Sequence, residues 1–348
     1  MYIRATGIIS PQKTFMQQGF PEDIVVHEGE AMYCVEPDYK ELLDPKLIRR
    51  MSRIIRFGSA SAMECLKRSG WNNVDAIITG TAYGCLEDTS VFLSRMIENN
   101  EQLLTPTAFI QSTHNTIGAQ IGLSLKNHGY NNTFVHRAFS FEHALTDAWM
   151  LFCEKQAEKI LVGAADEITK DSLNVLRRFG LYREGINIDL IHTGKEGTMA
   201  GEGAAFFALS GASSGNDLAQ ISGIQTHLAL DDEPLSEEKL SGFLNKNGIS
   251  RSDISLLLTG RNGDEKHDRI FDQFAGGILA DKPVLNFKQY CGEYPTASAF
   301  GLGMAANICN KRSVIEYGAD ITLPETVHIL LYNVDPLGHH ALMLVSSC

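Results

Sequence analysis

Apolar positions follow two rhythms along this chain. Residues 74–79, 159–162 and 255–258 are short and almost wholly apolar, which predicts buried strands. Longer stretches repeat their apolar residues every three or four positions. Ala144, Leu145, Ala148, Trp149 and Phe152 form one face of a helix over 141–156. Leu240, Phe243 and Leu244 do the same over 236–247. Residues 46–69 have helical spacing with a break near Gly58. Further strands are predicted at 2–9, 132–137, 202–209, 219–224, 283–286, 327–333 and 341–346. Further helices are predicted at 90–99, 113–125, 267–274 and 297–310. Strands alternating with helices predict an α/β protein.

Four blocks occur twice in the same order. RATGII around Gly7 matches QISGIQ around Gly223, and AIITGT before Gly80 matches LLLTGR before Gly260. TFVHRAF matches VLNFKQY, and ILVGAADEI matches ILLYNVDPL. Repetition in register predicts a duplicated fold with halves at 1–212 and 217–348, divided by the turn-rich loop GASSGND. Two such halves stack as five layers, αβαβα. The small-residue helices around GAQIGLSL and ASAFGLGMAAN are expected in the central layer, where elements approach closely.

Composition narrows the function. Apolar residues make up 44% of the 348 and charged residues 21%, enough for a sizeable core and against disorder. The formal charge of −12 argues against a nucleic-acid or anionic-membrane partner. No apolar run approaches the roughly 20 residues of a spanning helix. The start MYIRATGIISP lacks the basic and long apolar parts of a signal peptide, so the expectation is a soluble cytoplasmic protein. The seven cysteines are scattered, with no CxxC pair, and read as free thiols. His339 and His340 would point to opposite sides of a strand, and no metal site or cofactor is expected. GxGxxG and P-loop patterns are absent.

Several phrases together carry a family resemblance. They are IRATGIISP, GTAYGCLEDT, TPTAFIQSTHNTIGAQIGL, VGAADEI and GEGAAFFAL. With them the chain resembles, nearly end to end, a β-ketoacyl synthase of the thiolase superfamily. STHNTIGAQ resembles the bacterial synthase-like branch associated with polyketide and aryl-polyene pigments. The resemblance implies a thiolase-like fold and a place in fatty acid or polyketide biosynthesis. In that family a cysteine at a strand-to-helix elbow takes an acyl chain from a carrier protein or CoA. Two histidines polarise the malonyl thioester and stabilise the enolate.

This sequence departs from the family at all three positions. The cysteine position falls on Ala138, the first histidine on Gly260 and the second on Glu293, while Lys288 and Gly292 of the KSxxGH run are retained. The closing glycine-rich loop reads NVDPLGHH, where Pro336 removes a backbone donor. Lost condensing chemistry on an intact scaffold resembles the chain-length factors, non-catalytic partners of active synthases. That implies a heterodimer with an active ketosynthase, an acyl carrier protein delivering an acyl thioester, and strand 132–137 paired across a two-fold axis. A second reading is an active condensing enzyme or acyltransferase with a non-standard residue set drawn from Ser140, His143, Lys288, Cys291 and Glu293. Ser140 reads more simply as a helix N-cap, Cys291 as a buried thiol, and His114 and His143 as structural. A third reading is a homodimeric acyl-binding scaffold. The elbow separates these readings, because an enzyme needs a nucleophile or base there.

Overall fold

In this computed structural model the described residues are 1–348 other than 18, 19, 22, 230–232, 278, 316, 317 and 320. The main strands are β1 (Tyr2–Ile9), β2 (Ala76–Gly80), β3 (Tyr130–Phe134), β4 (Lys159–Asp166), β5 (Gly203–Ser210), β6 (Ala219–Leu228), β7 (Leu256–Thr259), β8 (Val284–Asn286), β9 (His328–Val334) and β10 (His339–Ser346). Their order in space is β8-β7-β9-β10-β6-β1-β5-β4-β2-β3. Read inward from each end, both halves have the same arrangement, with three parallel strands followed by two antiparallel ones. The four repeated blocks begin on the equivalent strands β1/β6, β2/β7, β3/β8 and β4/β9, and the third runs on into the turn that follows its strand. The halves join where β1 and β6 pair over Tyr2↔Gln220 and Ile3↔Ala219.

The helices that frame the sheet and its surface include α1 (Arg53–Ser69), α2 (Leu86–Glu98), α3 (Pro106–Gln111), α4 (Thr116–Leu125), α5 (Ser140–Cys153), α6 (Glu237–Lys246), α7 (Glu265–Gly276) and α8 (Ser298–Lys311). Five layers follow from which strand face each helix covers. α1 and α4 pack with Ile77, Leu161 and Phe206 on one outer face. α5 and α8 pack between the halves, against Ile78, Val162 and Phe207 on one side and Leu258, Leu331 and Met343 on the other. α6 and α7 cover Leu257, Leu330 and Leu342 on the far face. Helices on both faces explain why β2, β4, β5 and β7 are buried along most of their length, as their apolar runs required.

Two expectations are corrected. The GAQIGLSL helix is α4, in an outer layer; its glycines serve strand contact instead, since a side chain on Gly118 would press on Asn131 and Thr79. Its central counterpart is α5. The helix break lies at 49–52, not at Gly58, because Ser52 adopts the extended backbone of an N-cap. α1 runs through Gly58, where the missing side chain makes room for Ile117 of α4. No helix among the described residues is long and apolar enough to cross a membrane.

Candidate functional site

β3 ends at Phe134, earlier than the predicted strand, because the chain must turn sharply into α5. Arg137 adopts φ 47°, a left-handed conformation uncommon outside glycine, and opens a 3-10 turn over Arg137–Phe139. The Ser140 hydroxyl holds that turn. It accepts a hydrogen bond from the His136 N–H at 2.7 Å and donates to the Arg137 carbonyl at 2.7 Å. Ser140 is therefore not the N-cap, which is Phe139; the 3-10 turn runs straight into the helix and carries Ser140 inside it. Ala138 is buried in the middle of the turn and presents only a methyl group.

Gly260 follows β7, and its N–H donates to the Tyr332 carbonyl at 3.0 Å. The space a side chain would need is already filled. A Cβ there would collide with Asn333 Oδ1 and come within 3.3 Å of Lys288 Cε.

Lys288 opens the short helix Lys288–Cys291 and is completely buried. Its ammonium lies 2.7 Å from Glu293 Oε2, which also accepts from Asn262 Nδ2 at 2.6 Å. The chain reaches this point through Gly292, at φ 73°, which packs so tightly on Gly201 that a side chain on either would overlap backbone. Gly260 and Glu293 are thus brought together through Lys288.

Ala138 makes no described contact with that group. Glu142, one turn on from Ala138 in the first turn of α5, feels the charge of Lys288. Its carboxyl is fully buried and pushed up to about 7 by burial, while the Ser298 hydroxyl and the Lys288 cation pull the other way. Ser298 approaches closely, yet neither Glu142 oxygen completes a hydrogen bond. Asp166, at the end of β4, clasps two loops. Its carboxylate accepts from Thr81 Oγ1 at 2.9 Å, the Ala82 N–H at 2.8 Å and Thr296 Oγ1 at 2.7 Å.

The other candidates are occupied elsewhere. Burial pushes the Cys291 thiol well above its ordinary value, which removes the thiolate a nucleophile needs. His143 is held below its usual basicity, first by burial and then by His136 and His339. Its Nδ1 lies 3.3 Å from His136 Nδ1. His339 and His340 do point apart, His339 to Asp335 at 2.9 Å and His340 to the Tyr332 hydroxyl at 2.8 Å. Among the described residues no group of three or more His, Cys, Asp or Glu side chains could hold a metal ion. Glu142, Asp166, Asn262 and Asn333 were not singled out by sequence reasoning. Their only signal was position beside the elbow or at strand ends, which does not distinguish a buried polar residue from an exposed one.

Residues 30–177 match the model of the beta-ketoacyl synthase N-terminal domain. Solved structures share the fold over the whole chain. The ishigamide ketosynthase/chain length factor aligns with TM-score 0.78 at 14% identity, covering 100% of this chain and 98% of that one. A beta-ketoacyl synthase from Burkholderia phymatum STM815 aligns with TM-score 0.79 at 13% identity, covering 100% and 99%. The ketosynthase ApeO in complex with its chain length factor ApeC from Xenorhabdus doucetiae aligns with TM-score 0.78 at 15% identity, covering 100% and 98%. No curated protein matches the sequence. Residues 30–177 thus match a beta-ketoacyl synthase N-terminal domain, and the chain from end to end has the fold of the ketosynthase and chain length factor structures.

Proposed function

We propose that the protein is a non-catalytic, chain-length-factor-type partner of an active ketosynthase in fatty acid or polyketide assembly of the aryl-polyene kind. One observation carries this reading. Where the family places its chemistry, this chain has a methyl group at Ala138, a glycine whose side-chain space Asn333 fills, and a lysine neutralised by Glu293. At the elbow Ala138 has no atom to accept an acyl chain, and the Ser140 hydroxyl is engaged in the turn. The cation available to polarise a thioester carbonyl already faces a carboxylate. Loss of the nucleophile and of the enolate-stabilising donors raises the barrier by on the order of 8 kcal/mol or more.

The outer surface supports an obligate partner. β3 ends the sheet with an unpaired edge. In the preceding segment, α2 and α3 expose Leu93, Ile97, Phe109 and Ile110, and Leu103 between them is 92% exposed. Exposed apolar side chains and an open strand edge are both features that a partner subunit covers. A ketosynthase subunit would pair its own edge strand with β3, and an acyl carrier protein would bring the acyl thioester to that subunit's cysteine. Co-expression with an intact ketosynthase should give a heterodimer that condenses malonyl thioesters, while the isolated chain does not. A monomer with and without the synthase, or turnover of malonyl thioester by this chain alone, would overturn the proposal; a persistent homodimer would favour the scaffold reading.

A further inference from the structure

A cavity of about 700 Å³ lies between β1, the later turns of α8 and the end of α1. None of Ala138, Glu142, Gly260, Lys288 or Glu293 lines it. Its volume falls in the range of small-molecule sites. One wall is apolar, built from Ile8, Phe300 and Met304. Gly303 keeps it open, since a side chain there would run into Ile8 Cδ1.

The rim is cationic, although the chain as a whole carries −12. Arg68 gives hydrogen bonds to two neutral carbonyls, those of Thr6 and Gln17. Its carboxylate neighbour Glu64 is 3.5 Å away and is pushed up to about 7 by burial, so near neutral pH it compensates Arg68 only in part. Arg4 meets Asp217 through one terminal nitrogen at 3.3 Å, while its Nε is buried and has no hydrogen-bond partner among the described residues. A buried donor left unmade is an unusual feature of a native interior. Two guanidinium groups above an apolar wall match an amphiphile with one anionic head.

We propose that this cavity binds a medium-chain fatty carboxylate, with the carboxylate on Arg4 and Arg68 and the chain along Ile8, Phe300 and Met304. The inference stands apart from the reading of the elbow. Calorimetric titration of the full chain with decanoate tests it, alongside 1-decanol, which has the tail without the charge, and acetate, which has the charge without the tail. Decanoate should bind one per chain and at least tenfold more tightly than either control. Arg68→Gln should weaken it about tenfold, and Gly303→Leu should fill the cavity and abolish it. Arg68 is partly exposed, so Arg68→Gln keeps the test decisive if Gly303→Leu fails to fold. Decanoate binding no tighter than decanol, or unchanged by Arg68→Gln, or surviving in a folded Gly303→Leu protein, would each overturn the proposal.

Discussion

Replacing Glu293 by alanine strands a cation in the interior. Lys288 is completely buried, with its ammonium 2.7 Å from Glu293 Oε2, and Asn262 loses its acceptor at the same time. Removing one partner of a buried pair costs about 3–5 kcal/mol, because the remaining charge is uncompensated. Glu142 decides where in that range the loss falls. It lies near Lys288, and its carboxyl titrates at about 7. Above pH 7 Glu142 ionises and can face the stranded ammonium, so the loss should sit at the lower end at pH 8. At pH 6 Glu142 is largely neutral, and the loss should reach the upper end. With a urea slope of about 3 kcal/mol/M, the midpoint should fall by roughly 1 M at pH 8 and by more at pH 6. Urea unfolding followed by circular dichroism measures this. The double variant Lys288→Met/Glu293→Leu removes both charges and should lose much less than the single one. A midpoint shift below about 0.3 M would refute the assigned pairing, and the same shift at both pH values would refute the part given to Glu142.

Further outcomes are expected at the elbow, in the core and on the surface. Ala138→Cys should fold normally yet give no condensation of malonyl thioesters in a radiolabel assay, since positions 260 and 293 still lack histidine. Gly260→His should lose about 1–3 kcal/mol in thermal unfolding, through collision with Asn333, and gain no activity. Glu142 has its folded value raised from 4.5 to about 7, so the native state holds the extra proton and stability should fall as pH rises through that window. Glu142→Gln should remove on the order of 3 kcal/mol of that pH dependence, read from urea midpoints at pH 4.5 and pH 8. Phe109→Glu combined with Ile110→Glu should leave the circular dichroism spectrum unchanged but abolish the complex with a ketosynthase in light-scattering chromatography.

The strands were legible because each carries its own burial. A run such as AIITG or ILVGAAD has no polar face to show solvent, and the repeat in register predicted two halves of like topology. Small residues were less informative. Gly118 and Gly122 told that something approaches α4 closely, but not that the neighbour is an outer strand face rather than a facing helix. Ser140 looked like a cap because cap and turn-stapling serines have the same local sequence; only φ at Arg137 separates them. The polar cluster was least legible. Glu142, Lys288 and Asn333 come from distant parts of the chain, and a carboxylate in the first turn of a helix reads as a surface residue until the fold buries it.

Duplication gives the sheet two homologous ends, and two adhesive ends would let molecules add to one another without limit. The ends have diverged. β3 offers five residues, Tyr130–Phe134, whereas β8 offers only three, Val284–Asn286, and follows Pro283, which has no amide hydrogen to donate. One end can template another strand and the other is blunted. A ribbon adhesive at a single end terminates after one association event, so this asymmetry between the two copies of the fold separates a closed pair from a filament.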